Sequence, residues 1–137
     1  MTQEEKSLLL KDLCARLPYG VKAKVDGHFN SLQILGISKL YKSTWAWKKG
    51  TYVVSFWNDT KPIESIKPYL RSMSSMTEKE QEDYTLLSNH CISTSMGFAY
   101  IEAQILIEWL NAHYFDFRNL IEKGLALEAS EEMYKTE

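Results

Sequence analysis

The chain has 137 residues, of which 45% are hydrophobic and 25% are charged, a composition typical of one globular domain and not of a disordered segment. The net charge of −2 provides no global positive field, so generic nucleic-acid binding is disfavoured, although a local basic patch is allowed. No apolar run approaches the ~18 residues of a membrane span, and the acidic start is unlike a signal peptide, so we predict a cytoplasmic protein without membrane contact.

The first predicted element is a helix that begins with a capping box. Thr2 is placed to accept a hydrogen bond from the backbone three residues later, and Glu5 is placed to reach back to residue 2. Apolar residues then recur at helical spacing and form one stripe: Leu9, Leu10, Leu13, Cys14 and Leu17. Because Pro18 and Gly20 interrupt this pattern, we predict a helix over residues 3–16.

The next part of the chain alternates between apolar and polar residues and predicts a β-meander. Strands are expected over residues 21–25, 32–37, 39–47 and 51–57, joined by short turns. Short turns join only antiparallel neighbours, because parallel strands need long crossovers. We therefore predict an α+β fold, in which an antiparallel sheet of three to four strands packs against the N-terminal helix and C-terminal helices.

Aromatic residues concentrate in or beside the proposed hairpin, and two lysines stand at its tip: Trp45, Trp47, Tyr52 and Trp57, with Lys48 and Lys49. On an alternating strand Trp45 and Trp47 share one face, and we favour the interpretation in which that face is core. If it is exposed, the three tryptophans are a candidate surface for a protein partner. Stacking of single-stranded bases is a weaker alternative, because the overall charge is slightly acidic.

Residues 67–81 read KPYLRSMSSMTEKEQ and lead into a second helix. Pro68 restricts the residue before it to extended geometry, and the serine hydroxyls favour non-helical backbone. Thr77 then starts a helix with a second capping box. We favour the interpretation of this segment as an approach to the helix, while a ligand-binding role for Tyr69 and Arg71, or phosphorylation of the serines, remains open.

The strongest helical pattern covers roughly residues 98–113. One stripe consists of Phe98, Ile101, Ile105, Trp109 and Ala112. Leu106 and Leu110 widen the apolar arc, which predicts a helix that is central to the core and lies across the sheet. We expect one domain over residues 1–137, with a charged tail that frays from about residue 131.

Three polar residues near the end of this helix are a candidate site. His113, Asp116 and Arg118 bring an imidazole, a carboxylate and a guanidinium within a few residues of one another. The structural interpretation, which we favour, is that His113 stacks on Trp109 and that Asp116 and Arg118 form an internal salt bridge.

The remaining histidines and the cysteines predict no metal, no cofactor and no catalytic residues. His28 follows a glycine turn and is expected to be exposed, and His90 adjoins Cys91 in a way that points the two side chains apart on a helix. Cys14 and Cys91 have no metal-ligand spacing, and we expect both to be free, buried thiols.

Three stretches resemble a family of small uncharacterised proteins of gut bacteria and their phages and prophages: LCARLPYGVK (13–22), IKPYLRSMSSMTEKE (66–80) and WLNAHYFDFRNLIEKGLALEA (109–129). The family usually has proline where this chain has Ser72. It usually has tyrosine where this chain has Phe117, and glycine where this chain has Asn119. The resemblance implies a prophage or mobile-element context and no particular reaction.

Two hypotheses about function follow. In the first, the chain is an accessory protein of a prophage or its host that binds a protein partner. In the second, it is a small-molecule binder or small enzyme with a polar pocket formed by Tyr69, Arg71, His113, Asp116 and Arg118. The second hypothesis requires the middle and last motifs to meet in space around a deep pocket, whereas exposed tryptophans without such a pocket favour the first.

Overall fold

The computed structural model describes residues 1–93 and 96–134, and the side chains outside residues 91–102. The elements are α1 (Gln3–Arg16), β1 (Lys22–Val25), β2 (Leu32–Gln33), β3 (Gly36–Lys39), β4 (Tyr52–Ser55), β5 (Thr60–Pro62), β6 (Ile66–Leu70), α2 (Glu78–Ser93), α3 (Met96–Ala112) and β7 (Leu127–Glu128). Single 3₁₀ turns cover Leu17–Tyr19, Ile63–Ser65 and Met73–Ser75. The fold is α+β, as predicted.

The strands of the described chain form two sheets, not the single antiparallel sheet expected. One sheet has the order β2-β1-β6-β7 and is antiparallel except for the parallel pair β6 and β7, and the other is the antiparallel sheet β3-β4-β5. The predicted strand over residues 32–37 divides because consecutive amides donate to different sheets. Ile34 donates to the carbonyl oxygen of Val21, whereas Leu35 donates to that of Ser55.

The predicted strand over residues 39–47 is wrong. Strand β3 ends at Lys39, and the chain then enters a loop over residues 40–51, which we call the aromatic loop. Thr44 accounts for this difference, because its hydroxyl accepts hydrogen bonds from the backbone amides of Ala46 and Trp47. These local bonds compete with a strand ladder.

The sequence pattern predicts an approach to a helix over residues 67–81 and no strand, whereas the structure has β6 there, although proline is rare in central strands. In the structure, Ile66, Pro68 and Leu70 are buried and alternate with more exposed residues, so the period of two is present in the sequence. Pro68 lies opposite Ala23 of β1. The segment before α2 is therefore the middle of a sheet as well as an approach to a helix.

Helix α1 spans the predicted residues and covers the core. The hydroxyl of Thr2 accepts the Glu5 amide at 3.1 Å, as the capping box requires. The buried Leu9 and Leu13 of α1 belong to one core with residues of both sheets and of the turns before β7. The other members of this core include Val21, Ala23, Val25, Ile34, Val54, Phe56, Ile63, Ile66, Leu70, Leu120, Leu125 and Ala126.

Helix α3 is not the central cover of the core that its apolar arc predicts. Leu110 is buried, but Ile105 is 43% exposed and Ile107 is 37% exposed. The side chains of Phe98 and Ile101 lie outside the described residues. Helix α3 packs mainly against α2, so much of its apolar surface serves a helix pair at the side of the domain.

Two smaller expectations are also corrected. The tail predicted to fray from residue 131 is anchored as far as Tyr134, whose hydroxyl accepts the Lys22 amide and donates to the Tyr69 carbonyl oxygen. Cys14, expected to be buried, is exposed, and the side chain of Cys91 lies outside the described residues. Within the described chain, no helix has the length and apolar character needed to cross a bilayer.

Candidate functional site

The middle and last motifs do meet in space, as the second hypothesis requires. The Arg71 amide donates to the carbonyl oxygen of Tyr114, and the Asp116 amide donates to the carbonyl oxygen of Arg71, each at 2.8 Å. These two bonds form an isolated parallel bridge between Arg71 and Phe115. The end of β6 is thereby joined to the segment that follows α3.

The side chain of Arg71 is fully engaged at this junction. Its two terminal nitrogens donate to the two carboxylate oxygens of Glu80, each at 2.7 Å. The guanidinium also lies 4.3 Å from the ring centroid of Phe115. The hydrogen bonds from Arg71 are the largest cause that lowers the pKa of Glu80, to about 2. The ion pair between Arg71 and Glu80 therefore connects the start of α2 to the end of β6.

His113 occupies the place that the structural interpretation predicts. Its ring lies 4.4 Å from the ring of Trp109, centroid to centroid, and its Nδ1 donates to the Trp109 carbonyl oxygen at 2.9 Å. Phe115 stacks on the other members of this group, at 5.7 Å from Trp109 and 6.3 Å from His113. His113 thus belongs to an aromatic cluster that ends α3.

Asp116 and Arg118 do not form the salt bridge predicted between them. The carboxylate of Asp116 accepts the backbone amides of Leu120 and Ile121 at 2.8 and 2.9 Å. Arg118 instead donates to the fully buried Asp12 of α1 at 2.6 Å. The local backbone explains why Asp116 accepts these amides. Asn119 has a positive φ of 59°, and the chain turns there so that the amides of residues 120 and 121 point towards Asp116.

Neither of two cavities in the described part of the chain brings the five polar residues together. Tyr69 takes part through its backbone, since its carbonyl oxygen accepts the Tyr134 hydroxyl at 2.7 Å. Of the five, Arg118 alone lines either of the two main cavities of the described chain. The polar groups of this region hold secondary-structure elements together.

The aromatic loop differs most from expectation. The favoured interpretation as core is wrong for Trp45, which is 100% exposed, and Trp47 is half-buried. Tyr41, in the same loop, is 80% exposed. Trp57 is also exposed, but it follows β4 whereas the loop precedes β4, so the length of a four-residue strand, about 13 Å, separates the two ends. The three tryptophans predicted to form one surface therefore lie at two different ends of β4.

The aromatic loop is held by its own hydrogen bonds. Thr44 and Trp47 close a turn through their backbones at 2.8 Å, and the Ser43 hydroxyl accepts the Lys49 amide at 2.9 Å. At its base, the Gly50 amide donates to the carbonyl oxygen of Leu40 at 2.8 Å. Trp45 is thus displayed on an ordered turn.

A cavity of about 330 Å³ lies between this loop and α1. Lys48 and Lys49 line one side, Lys6 and Ser7 of α1 line another, and Glu64 contributes from a 3₁₀ turn. Metal-ligand spacings and catalytic-pair motifs in the sequence do not indicate such a cavity. The sequence feature that does point to this part of the chain is the absence of acidic residues over residues 27–58.

No protein-family model, no curated protein and no solved structure matches this chain. Among the described residues, no group of three or more His, Cys, Asp or Glu side chains is placed to hold a metal ion.

Proposed function

We propose that the chain is a non-enzymatic accessory protein of a bacterial prophage or its host, and that it binds a protein partner through the aromatic loop. The observation that carries this proposal is the complete exposure of Trp45 on a hydrogen-bonded turn, with Tyr41 exposed beside it in the same loop. Tryptophan and tyrosine are enriched among the residues that dominate binding energies at protein interfaces.

Trp45 can supply a substantial part of the energy that binding a partner requires. Covering a fully exposed tryptophan side chain contributes roughly 3 kcal/mol, since its apolar area is large. Because the loop is already ordered by Thr44 and Ser43, less conformational entropy is lost when a partner binds.

The alternative of a small-molecule site near Arg71 and His113 receives less support. The guanidinium of Arg71 is bound to Glu80, and Asp116 accepts two backbone amides. A ligand at this position would have to displace bonds that join separate elements. The prophage context rests on the resemblance of the three motifs.

Site-specific photocrosslinking tests the proposal. A variant with p-benzoylphenylalanine in place of Trp45 is irradiated in a lysate of the bacterial host, and the matched control carries the same group in place of Trp57, at the far end of β4. We expect one discrete protein adduct from position 45 and none of the same mass from position 57.

Competition decides whether the adduct is specific. Excess unlabelled wild-type protein should suppress the adduct, whereas excess Trp45→Ser should not. Equal adducts from both positions, or equal competition by both proteins, would contradict the proposal.

A further inference from the structure

The charge of this chain is distributed unevenly. Residues 27–58 contain four lysines, Lys39, Lys42, Lys48 and Lys49, and no aspartate, glutamate or arginine, which gives this segment a charge of +4. The whole chain carries −2, so the remaining residues carry −6. The exposed tryptophan of the aromatic loop therefore belongs to a basic segment of an otherwise acidic chain.

Two of these lysines face the cavity beside α1 without a carboxylate partner. Lys6 and Glu64, which line the same cavity, neutralise each other through a contact of 2.6 Å between Nζ and Oε1. Among the described residues, no carboxylate forms an ion pair with Lys48 or Lys49, although both line the cavity. The residues that line the cavity therefore carry two positive charges in excess.

The cavity also offers neutral hydrogen-bonding groups. Ser7 and Thr51 line it, together with the half-buried Tyr52. A volume of about 330 Å³ accommodates one or two side chains of a peptide and not a folded element. The arrangement suits a carboxylate attached to a short extended segment.

We propose that the partner of the aromatic loop presents an acidic peptide segment, whose carboxylate enters this cavity between Lys48 and Lys49 while a neighbouring apolar side chain covers Trp45. The inference rests on the proposed function and adds the chemical class of the partner. Its physical basis is charge complementarity, which steers association and fixes the register of an interface.

An acidic peptide suits the surroundings of the cavity better than a nucleic acid does. A nucleic-acid backbone carries a negative charge at every phosphate and has to continue beyond the cavity. Glu64 lines the cavity from its 3₁₀ turn, and Glu4 and Glu5 lie in the first turn of α1, whose residues Lys6 and Ser7 line another side. A peptide backbone is neutral, so one side-chain carboxylate can reach between the two lysines while the backbone itself brings no charge past these acids.

The test uses hexaglutamate as the probe and the tryptophan fluorescence of the full chain as the signal. At low ionic strength we expect saturable binding that weakens as salt is added. The double variant Lys48→Gln with Lys49→Gln should lower the association constant at least tenfold. The matched control is Lys42→Gln in the same loop outside the cavity, which should change it less than twofold.

A third variant should strengthen binding. Glu64→Gln removes the partner of Lys6 and adds one more free cation to the cavity, so we expect tighter binding of hexaglutamate than in wild type. A gain in affinity for hexaglutamate cannot be produced by partial unfolding of the variant.

Three outcomes would overturn the inference. These are no binding of hexaglutamate at low salt, equal losses in the Lys42→Gln and the double variant, or tighter binding of oligothymidylate than of hexaglutamate. The last result would assign the surface to nucleic acid. A negative result with hexaglutamate combined with a specific adduct at position 45 would refute the acidic partner and leave the proposed function standing.

Discussion

Ser72 and Asn119 have backbone geometries that suit proline and glycine respectively. Ser72 has φ −64° and ψ 148°, which a proline ring also adopts. Asn119 has φ 59°, in the left-handed region that glycine enters without strain and asparagine tolerates better than other side chains. The local geometry therefore explains why both residue types fit each position.

At Ser72 we predict a gain in stability. Ser72→Pro should raise the free energy of unfolding by about 0.4–1 kcal/mol, since proline reduces the freedom of the unfolded chain and Arg71 before it is already extended. Ser75→Pro is the matched control and should destabilise, because the Ser75 amide donates to the Ser72 carbonyl oxygen. Urea denaturation checks both, and a loss for Ser72→Pro would contradict this account.

At Asn119 the sign of the change in the free energy of unfolding depends on which residue is introduced. Asn119→Gly should keep the free energy of unfolding or raise it by up to about 1 kcal/mol, whereas Asn119→Val should lower it by about 1–2 kcal/mol, because a β-branched residue is strained at positive φ. The same two changes at the exposed Asn58 serve as the control. Equal effects of glycine and valine at residue 119 would show that the conformation is not maintained in solution.

Among the elements, the local ones were predictable and those formed by distant pairing were not. Helix α1 and the start of α2 carry capping-box patterns. Both hydrogen bonds of the box are present between Thr77 and Glu80, and at Thr2 the hydroxyl accepts the Glu5 amide. The parallel pairing of β6 with β7 joins Tyr69 to Leu127, and no local pattern encodes it. Helix α3 shows what an amphipathic pattern cannot predict. The pattern identifies an apolar helix face, but it does not show whether that face packs on the core or on a neighbouring helix.

The ion pair that joins β6 to α2 predicts a pH dependence. The folded-state pKa of Glu80 is about 2, below the ordinary 4.5, so its stabilising contribution is complete above pH 4.5 and is lost as the pH falls through 2. Arg71→Met should lower the free energy of unfolding by about 1–2 kcal/mol at pH 6. The difference between wild type and variant should shrink as the pH falls towards 2.

Thermal unfolding at a series of pH values measures this difference. Lys79→Met is the matched control, because its pair with Asp83 is exposed and should contribute less than about 0.5 kcal/mol at any pH. If the difference in unfolding free energy between wild type and Arg71→Met stayed constant from pH 6 to pH 2, the ion pair with the Glu80 carboxylate would not be the source of the stabilisation by Arg71.

At the scale of the whole molecule, the end of the described chain closes the sheet. The hydroxyl of Tyr134 lies between the Lys22 amide and the Tyr69 carbonyl oxygen, at 2.9 and 2.7 Å, and so bridges β1 and β6 where their ladder ends. The Tyr134 ring stacks on Tyr114 at 3.7 Å. Burial raises the pKa of Tyr134, so the hydroxyl keeps the proton that it donates.

Removing this hydroxyl should loosen the sheet. Tyr134→Phe leaves one amide and one carbonyl oxygen without their bridge, and we expect the free energy of unfolding to fall by about 1–2 kcal/mol in urea. Tyr41→Phe in the exposed aromatic loop should change it by less than about 0.5 kcal/mol. Equal, negligible effects of the two variants would indicate a tail that is free in solution.

The candidate surface was only partly predictable from the sequence. The tryptophans and Lys48 and Lys49 were named from composition, but the preference for core followed from assigning a strand where Thr44 closes a turn. The absence of acidic residues over 27–58 was the more informative signal, because charge patterning does not depend on a correct secondary-structure assignment.

The central claim is that Trp45 is kept for binding and not for folding, and one paired measurement on Trp45→Ser tests it most directly. The free energy of unfolding and the capture of the host protein found by crosslinking are measured for the variant and for wild type. We expect unfolding to differ by less than about 0.5 kcal/mol, because Trp45 is fully exposed, and capture to be lost. Undiminished capture, or a variant that is strongly destabilised, would contradict the account.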